Sequence, residues 1–240
     1  MSERFLRTEM LLGAAAMEKL RNSRVAVFGL GGVGSWCAEA LCRSGVGEIV
    51  LIDQDSVGES NINRQLCATY SALGKSKAEV MAARLRDINP EVRAVPVAAR
   101  YEAGTRERFF TENYDYIVDC IDLVACKLDL IETALHRGIP IISALGAGNK
   151  TNAEALRITD ISKTENCPLA RVIRKELHKR GINHLTVVYS NELPLKPEEA
   201  EEPPPGRRSI PGSLVWVTAT AGMLLCSHVV LRLAGQDGIK

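Results

Sequence analysis

The chain has 240 residues, of which 46% are hydrophobic and 25% charged, the make-up of a folded protein rather than a disordered one. Thirty Lys and Arg against 29 Asp and Glu give a net charge of +1, which excludes a uniformly polycationic nucleic-acid coat but allows a local basic face. Only 5% of residues are aromatic, so a base-stacking platform is excluded as the main device.

At about 150 residues per domain, the length suits one large domain or a domain with an appendage. The start, Met1-Ser2-Glu3-Arg4-Phe5, has no signal-peptide core. Seven cysteines (37, 42, 67, 120, 126, 167 and 226) are scattered without a CxxC pair. A disulfide framework and a four-thiolate zinc site are therefore not expected, and a reducing cytoplasm is.

In chain order, Arg24 to Phe28 is a short β-rich run closed by Gly29, and Ser35 to Arg43 reads as a helix. Glu48 to Ile52 is a second buried strand ending at Asp53. Ser76 to Ile88 has helical periodicity through Val80, Leu85 and Ile88, and stops at Asn89-Pro90. Arg93 to Ala98, Tyr116 to Cys120 and Ile139 to Ile142 are further strands, with a helix from Leu123 to His136. This alternation predicts an α/β, Rossmann-like, doubly wound and mostly parallel sheet with helices on both faces.

After Gly148 the pattern loosens into a C-terminal extension. Ala155 to Ile161 and His184 to Tyr189 read as strands around a basic helix. Glu192 to Ser213 is rich in Pro and Glu and reads as a loop or linker. Leu214 to Leu231 holds no Asp, Glu, Lys or Arg, so it is either a buried helix, the preferred reading, or a membrane span. The expected organisation is a domain over 1–190, a loop or linker over 191–213, and an apolar helix over 214–240 that packs on the domain.

Gly29-Leu30-Gly31-Gly32-Val33-Gly34 follows a strand and opens a helix. Glycines let the backbone approach a phosphate, and a helix start offers unpaired N–H groups and a positive dipole end. Asp53 closes the next strand, where a carboxylate can accept a ribose hydroxyl. Together these point to a nucleotide. Ser60-Asn61-Ile62-Asn63-Arg64-Gln65 and Gly74-Lys75-Ser76-Lys77 add cations that a plain dinucleotide site does not need. Lys77 in a first helical turn opposes the macrodipole unless an anion is bound; alone it reads as a solvated lysine. With Arg64 it favours a triphosphate. Asp122, past the fourth strand at the same sheet edge, suits Mg²⁺, or it serves as the N-cap of the Leu123 helix.

GxGGVG, D-x-D, S-N-x-N-R-Q, G-x-x-K and D-C-x-D, in that order, resemble the adenylating fold of ubiquitin-activating enzymes and their bacterial relatives, the ThiF/MoeB/HesA superfamily. The resemblance implies ATP held by Gly29, Gly31, Gly32, Gly34, Asp53, Asp55 and Asn61, with Arg64 and Lys77 on the phosphates and Asp122 on the metal. Arg4-Phe5-Leu6-Arg7 resembles the family's N-terminal segment, which implies a homodimer with Arg7 reaching a partner's ATP; alone, Arg7 is a surface arginine.

Ser143 to Lys150, Asp160 to Ala170 and Val187 to Ser190 are similar to the tRNA threonylcarbamoyladenosine dehydratase subfamily, almost over the whole chain. That resemblance implies ATP-dependent cyclisation of a modified adenosine in tRNA through a carboxylate adenylate. It leaves open a monovalent cation, a sulfur-relay partner and peripheral membrane contact, with no stable membrane insertion expected. Alternatives are adenylation of a ubiquitin-like sulfur carrier, or an NAD-dependent oxidoreductase or nucleotide-sensing module; the last leaves Arg64, Lys77 and Asp122 unused.

Cys167-Pro168 puts the thiol at an N-cap, where it is either an activated nucleophile or a half-buried structural residue. In the following helix, Leu169, Ile173 and Leu177 face the core. Arg171, Arg174, Lys175 and His178 form a basic stripe beside Lys179 and Arg180. Arg171, Arg174, Lys175 and Lys179 are the tRNA contacts expected with the resemblance in hand; a charge run by itself is a solvated face.

Overall fold

The computed structural model describes residues 3–198 and 211–236. Residues 199–210, most of the Pro/Glu-rich stretch, and 237–240 lie outside the described residues. The elements in chain order are α1 (Leu6–Leu12), α2 (Ala14–Asn22), β1 (Arg24–Phe28), α3 (Gly34–Arg43), β2 (Glu48–Ile52), α4 (Lys77–Ile88) and β3 (Arg93–Val97). They continue with β4 (Tyr116–Asp119), α5 (Val124–His136), β5 (Ile141–Ala144), β6 (Leu156–Asp160), α6 (Pro168–Lys179), β7 (Thr186–Ser190) and α7 (Val215–Ala234).

The seven strands form one sheet in the order β3-β2-β1-β4-β5-β7-β6. All neighbours are parallel except β6 and β7, which run antiparallel. This is the expected doubly wound α/β architecture with an antiparallel edge. Parallel strands carry helices on both faces and so read as continuous apolar runs. Val25 to Phe28 and Ile49 to Ile52 are buried without alternation for that reason.

One apolar cluster joins α2, α3, α4 and α7 to one sheet face through Leu20, Val25, Leu41, Leu85 and Leu225. The other joins α5 and α6 to the opposite face through Phe28, Ile117, Ile131, Ile173 and Leu177. β1 pairs with β2 on one side and β4 on the other. The direction of strand succession reverses there, which opens a crevice at the carboxyl ends.

α1 and α2 are additional to the elements expected from sequence. α2 buries Ala16, Met17 and Leu20, and it packs against α7. Among the described residues, α7 is long and apolar enough to cross a membrane by length and composition. It lies instead along α3, with Val217, Ala221, Leu225 and Val229 buried. A side chain at Gly222 would meet the Val33 carbonyl oxygen at 2.6 Å, so the missing Cβ allows this close approach. Burial of each Val or Leu there contributes roughly 1.5–3 kcal/mol.

Candidate nucleotide site

A cavity of about 460 Å³ occupies the crevice. Its floor is the glycine loop. Gly29 has φ +91°, and a Cβ there would stand 2.7 Å from the Cys120 carbonyl oxygen just past β4. Gly29, Gly31 and Gly32 line the cavity; Gly34 is the first residue of α3 and shapes the loop from behind. Ser35 Oγ donates to the Gly31 carbonyl (2.6 Å) and accepts from the Leu66 amide (3.1 Å). Trp36 Nε1 donates to the Arg64 carbonyl (3.0 Å). The start of α3 therefore fixes the segment that carries Arg64.

Asp53 lines the cavity beyond β2. Its Oδ2 accepts from the Leu30 amide (2.7 Å) and its Oδ1 from the Asp55 amide (2.8 Å). It thus braces the glycine loop as well as presenting oxygen lone pairs. Burial pushes its carboxyl above the ordinary value against the pull of those two amides. Asp55 and Asn61 line the same wall; Asn61 Oδ1 accepts from the Gly58 amide at 3.1 Å.

Lys77 opens α4 with its side chain only 6% exposed, and its Nζ meets Asp55 Oδ2 at 3.2 Å. It is not a solvated lysine: it faces the crevice, and Asp55 supplies part of the anion that its position at the helix start calls for. Arg64 is half-buried, with Nη1 donating to the Ser60 carbonyl (2.9 Å) and Asn63 Oδ1 (2.8 Å). Burial lowers its pKa from the ordinary arginine value.

Asp122 is exposed and lines the opposite rim. The helix-cap alternative for it does not hold. α5 begins at Val124 with Leu123 at the N-cap and no side-chain capping bond.

Sequence reasoning missed a polar network beneath this rim. Lys127 Nζ donates to Asp119 Oδ2 (2.6 Å), Ser143 Oγ (3.1 Å) and the Ala144 carbonyl (3.1 Å). Ser143 Oγ donates to the same Asp119 oxygen (2.5 Å), and Asp119 Oδ1 accepts from the Ile121 amide (3.0 Å). The ends of β4 and β5 are thereby locked, and the 120–122 turn with them. The signal was a carboxylate and a hydroxyl closing neighbouring strands, but Lys127 reads as a surface lysine until α5 is laid on the sheet.

Tyr101, Pro211, Ser213 and Thr218 also line the cavity. The last three bring the C-terminal part of the chain to the mouth. Asn149, at φ +58°, ties the two ends of the Pro/Glu-rich stretch together. Its carbonyl accepts from the Leu195 amide (2.9 Å), and its Oδ1 accepts from the Gly212 amide (2.7 Å).

Cys167 is buried and does not line the cavity. It caps α6, its Sγ accepting from the Ala170 amide at 3.4 Å, with Pro168 in the first turn. The thiol is packed more deeply than the half-buried structural residue that is one of its two readings. Arg7 is exposed on α1, outside this chain's own crevice. Arg171, Arg174, Lys175 and Lys179 lie on α6, also outside it.

A glycine loop at a helix start, two cations, and carboxylates on both rims can hold a polyphosphate and neutralise charge that develops on it. Fold and site together define a nucleotide-binding protein of the doubly wound α/β class. The ThiF family model matches residues 5–239, and the chain belongs to the ThiF family. The tRNA threonylcarbamoyladenosine dehydratase of Bacillus subtilis is 41% identical over 249 residues, covering 100% of this chain and 98% of that protein. The Escherichia coli enzyme of the same name is 34% identical over 253 residues, covering 98% and 94%. The crystal structure of E. coli tRNA N6-threonylcarbamoyladenosine dehydratase in complex with ATP superposes with a TM-score of 0.87 at 35% identity, covering 98% of this chain and 97% of that one.

Proposed function

We propose that the chain is an ATP-dependent enzyme that dehydrates N6-threonylcarbamoyladenosine in tRNA to its cyclic form. The observation that carries this reading is full-length similarity to proteins of that activity, joined to a crevice that sets Arg64 and Lys77 opposite Asp122 around the glycine loop.

The substrate's threonine carboxylate is a poor electrophile. Attack of its oxygen on the α-phosphate of ATP forms an acyl-adenylate and releases pyrophosphate. Arg64 and Lys77 offset the charge that gathers on the departing phosphates. The neighbouring carbamoyl group then attacks the activated carbonyl, closing a ring and expelling AMP. Ring closure is intramolecular, and well-oriented cases reach effective molarities of roughly 10⁵ M or more. No enzyme nucleophile is required, in keeping with the inward placement of Cys167.

Magnesium fits the donor set: a solvent-facing carboxylate beside a phosphate seat is how Mg²⁺ is commonly held, with waters completing its shell. Asp122 would hold it, and the ion would screen phosphate charge. The reading also includes a homodimer. On α1, Met10 and Leu11 are 76% and 84% exposed beside Arg7, which supports a partner copy on this face with Arg7 reaching the neighbouring crevice. The lodging of α7 against α3 supports a cytoplasmic enzyme without stable membrane insertion.

The test is mass spectrometry of tRNA carrying the modified adenosine after incubation with protein, ATP and Mg²⁺. Loss of one water from that nucleoside is expected, and none with Asp122→Asn. Pyrophosphate exchange that depends on a small carrier protein, with the tRNA unchanged, would replace this reading with carrier adenylation.

A further inference from the structure

We propose that the groove between α6 and the loop after it seats the sugar-phosphate backbone of the RNA substrate, with Arg171 and Lys175 as its phosphate contacts. This rests on the reading above that tRNA is the substrate, and it says where the strand beyond the reacting nucleotide runs.

The cations of α6 are alike in sequence and divided in structure. Arg174 turns inward, its Nη1 donating to the Thr164 carbonyl (2.6 Å) and Oγ1 (2.5 Å). Lys179 Nζ is paired with Glu176 Oε1 (2.7 Å). Arg180 Nε meets Glu132 Oε2 at 3.4 Å, and its Nη1 donates to the Glu176 carbonyl (2.7 Å). Arg174 and Arg180 brace the helix against its neighbours and Lys179 is held in an exposed pair within it, so Arg171 and Lys175 are the cations of this stripe most available to a ligand.

Arg171 and Lys175 are both exposed, and among the described residues they make no hydrogen bond or salt bridge. Four residues apart, they stand one above the other, about 6 Å along the axis. Like charges at that spacing weaken a helix unless an anion lies across them. Both line a groove of about 440 Å³ together with Arg174 and His178 of the same helix, and its far wall carries Ser162, Asn183 and His184. Among the described residues, no carboxylate lines it. The imidazoles are held in place, His178 Nδ1 by Asn183 Oδ1 at 2.8 Å and His184 Nδ1 by Asp160 Oδ2 at 3.3 Å. The result is a cationic trough with hydrogen-bonding walls, suited to successive phosphates: the Arg171 fork can take one in a bidentate grip.

The trough also begins in the right place. Cys167, the cap of α6, packs its Sγ against Gly146, and Ala147 and Gly148 line the nucleotide crevice. Arg171 is one turn into the helix from that point. A nucleotide inserted in the crevice therefore trails its flanking phosphates along the exposed face of α6.

The experiment compares two double variants of equal charge change on tRNA bearing the modified adenosine. Arg171→Gln with Lys175→Gln removes the two groove cations that make no hydrogen bond or salt bridge among the described residues. Arg93→Gln with Arg108→Gln removes two exposed cations away from α6. With the first, the plot of log affinity against log salt is expected to flatten by about 1.4, and binding at 0.1 M salt to weaken about 10- to 30-fold. ATP affinity should be unaltered. The second should keep the wild-type slope. Equal flattening by both would mean bulk charge, and an unflattened slope in the first would mean no contact; either result overturns the groove. If the wild-type protein leaves the mass of the tRNA unchanged with ATP and Mg²⁺, the substrate reading fails first and the groove with it.

Discussion

Lys127 Nζ and Asp119 Oδ2 stand 2.6 Å apart beneath the crevice, with both side chains wholly shielded from solvent. Two charges so deep are tolerated because each is saturated: the ammonium has three acceptors, and the carboxylate takes the Ser143 hydroxyl and the Ile121 amide as well. Their effect is to hold the turn from which Asp122 projects.

Removing one partner should therefore be severe. Lys127→Met strands the Asp119 carboxylate, and a loss of about 3–5 kcal/mol in unfolding free energy is expected from urea denaturation. Adding Asp119→Asn should restore part of that loss. A cost below about 1 kcal/mol for the single variant would contradict a charged, saturated pair.

Lys77→Gln should spare the fold and weaken the reaction. Glutamine keeps a donor for Asp55, the carboxylate that Nζ meets among the described residues, so the buried position stays satisfied. We expect kcat/KM for ATP to fall by about 10²-fold, the usual scale for losing one cation at developing phosphate charge. Steady-state pyrophosphate release measures it. An unchanged value would remove Lys77 from the phosphate seat.

Cys167→Ala should leave turnover unchanged and cost about 1 kcal/mol of stability through loss of the α6 cap. Cys167→Ser should restore the capping bond and most of the melting temperature. A large fall in kcat for the serine variant, with the fold intact, would show the thiol to be chemical after all.

Glu39 on α3 couples stability to pH. Burial pushes its carboxyl up, but hydrogen bonds from Arg84 and Arg43 outweigh that and hold it below the ordinary 4.5. A depressed folded value means the stabilisation is present above the unfolded pKa and is lost as pH falls through the folded one. Glu39→Gln should therefore lower stability at neutral pH and flatten the loss of stability below about pH 4.5. Parallel wild-type and variant profiles down to pH 3 would refute the coupling.

Much of the sheet was legible because fully buried parallel strands are marked by runs such as Val25-Ala26-Val27-Phe28, and the glycine loop is marked by what only glycine can do there. The strand after His136 illustrates the limit. Ile139 and Pro140 look continuous with Ile141 and Ile142, but the ladder with β4 begins at Ile141. The N-terminal helices escaped notice although Met17 and Leu20 carry a helical spacing. Their apolar face is short, and its partner, α7, lies some two hundred residues away. Lys127, Arg174 and Arg171 could not be sorted into buried, braced and exposed from sequence, because the partners of the first two come from other elements.

The intimate contact at Gly222 has a consequence for biogenesis. The start of α3, which presents the phosphate-binding loop, is roofed by a segment made about 180 residues after it. A nascent chain that has already paired β1 with β2 still lacks that roof. The nucleotide seat thus matures only after α7 has cleared the ribosome, and ATP added to stalled chains ending before Val215 should find no stable berth.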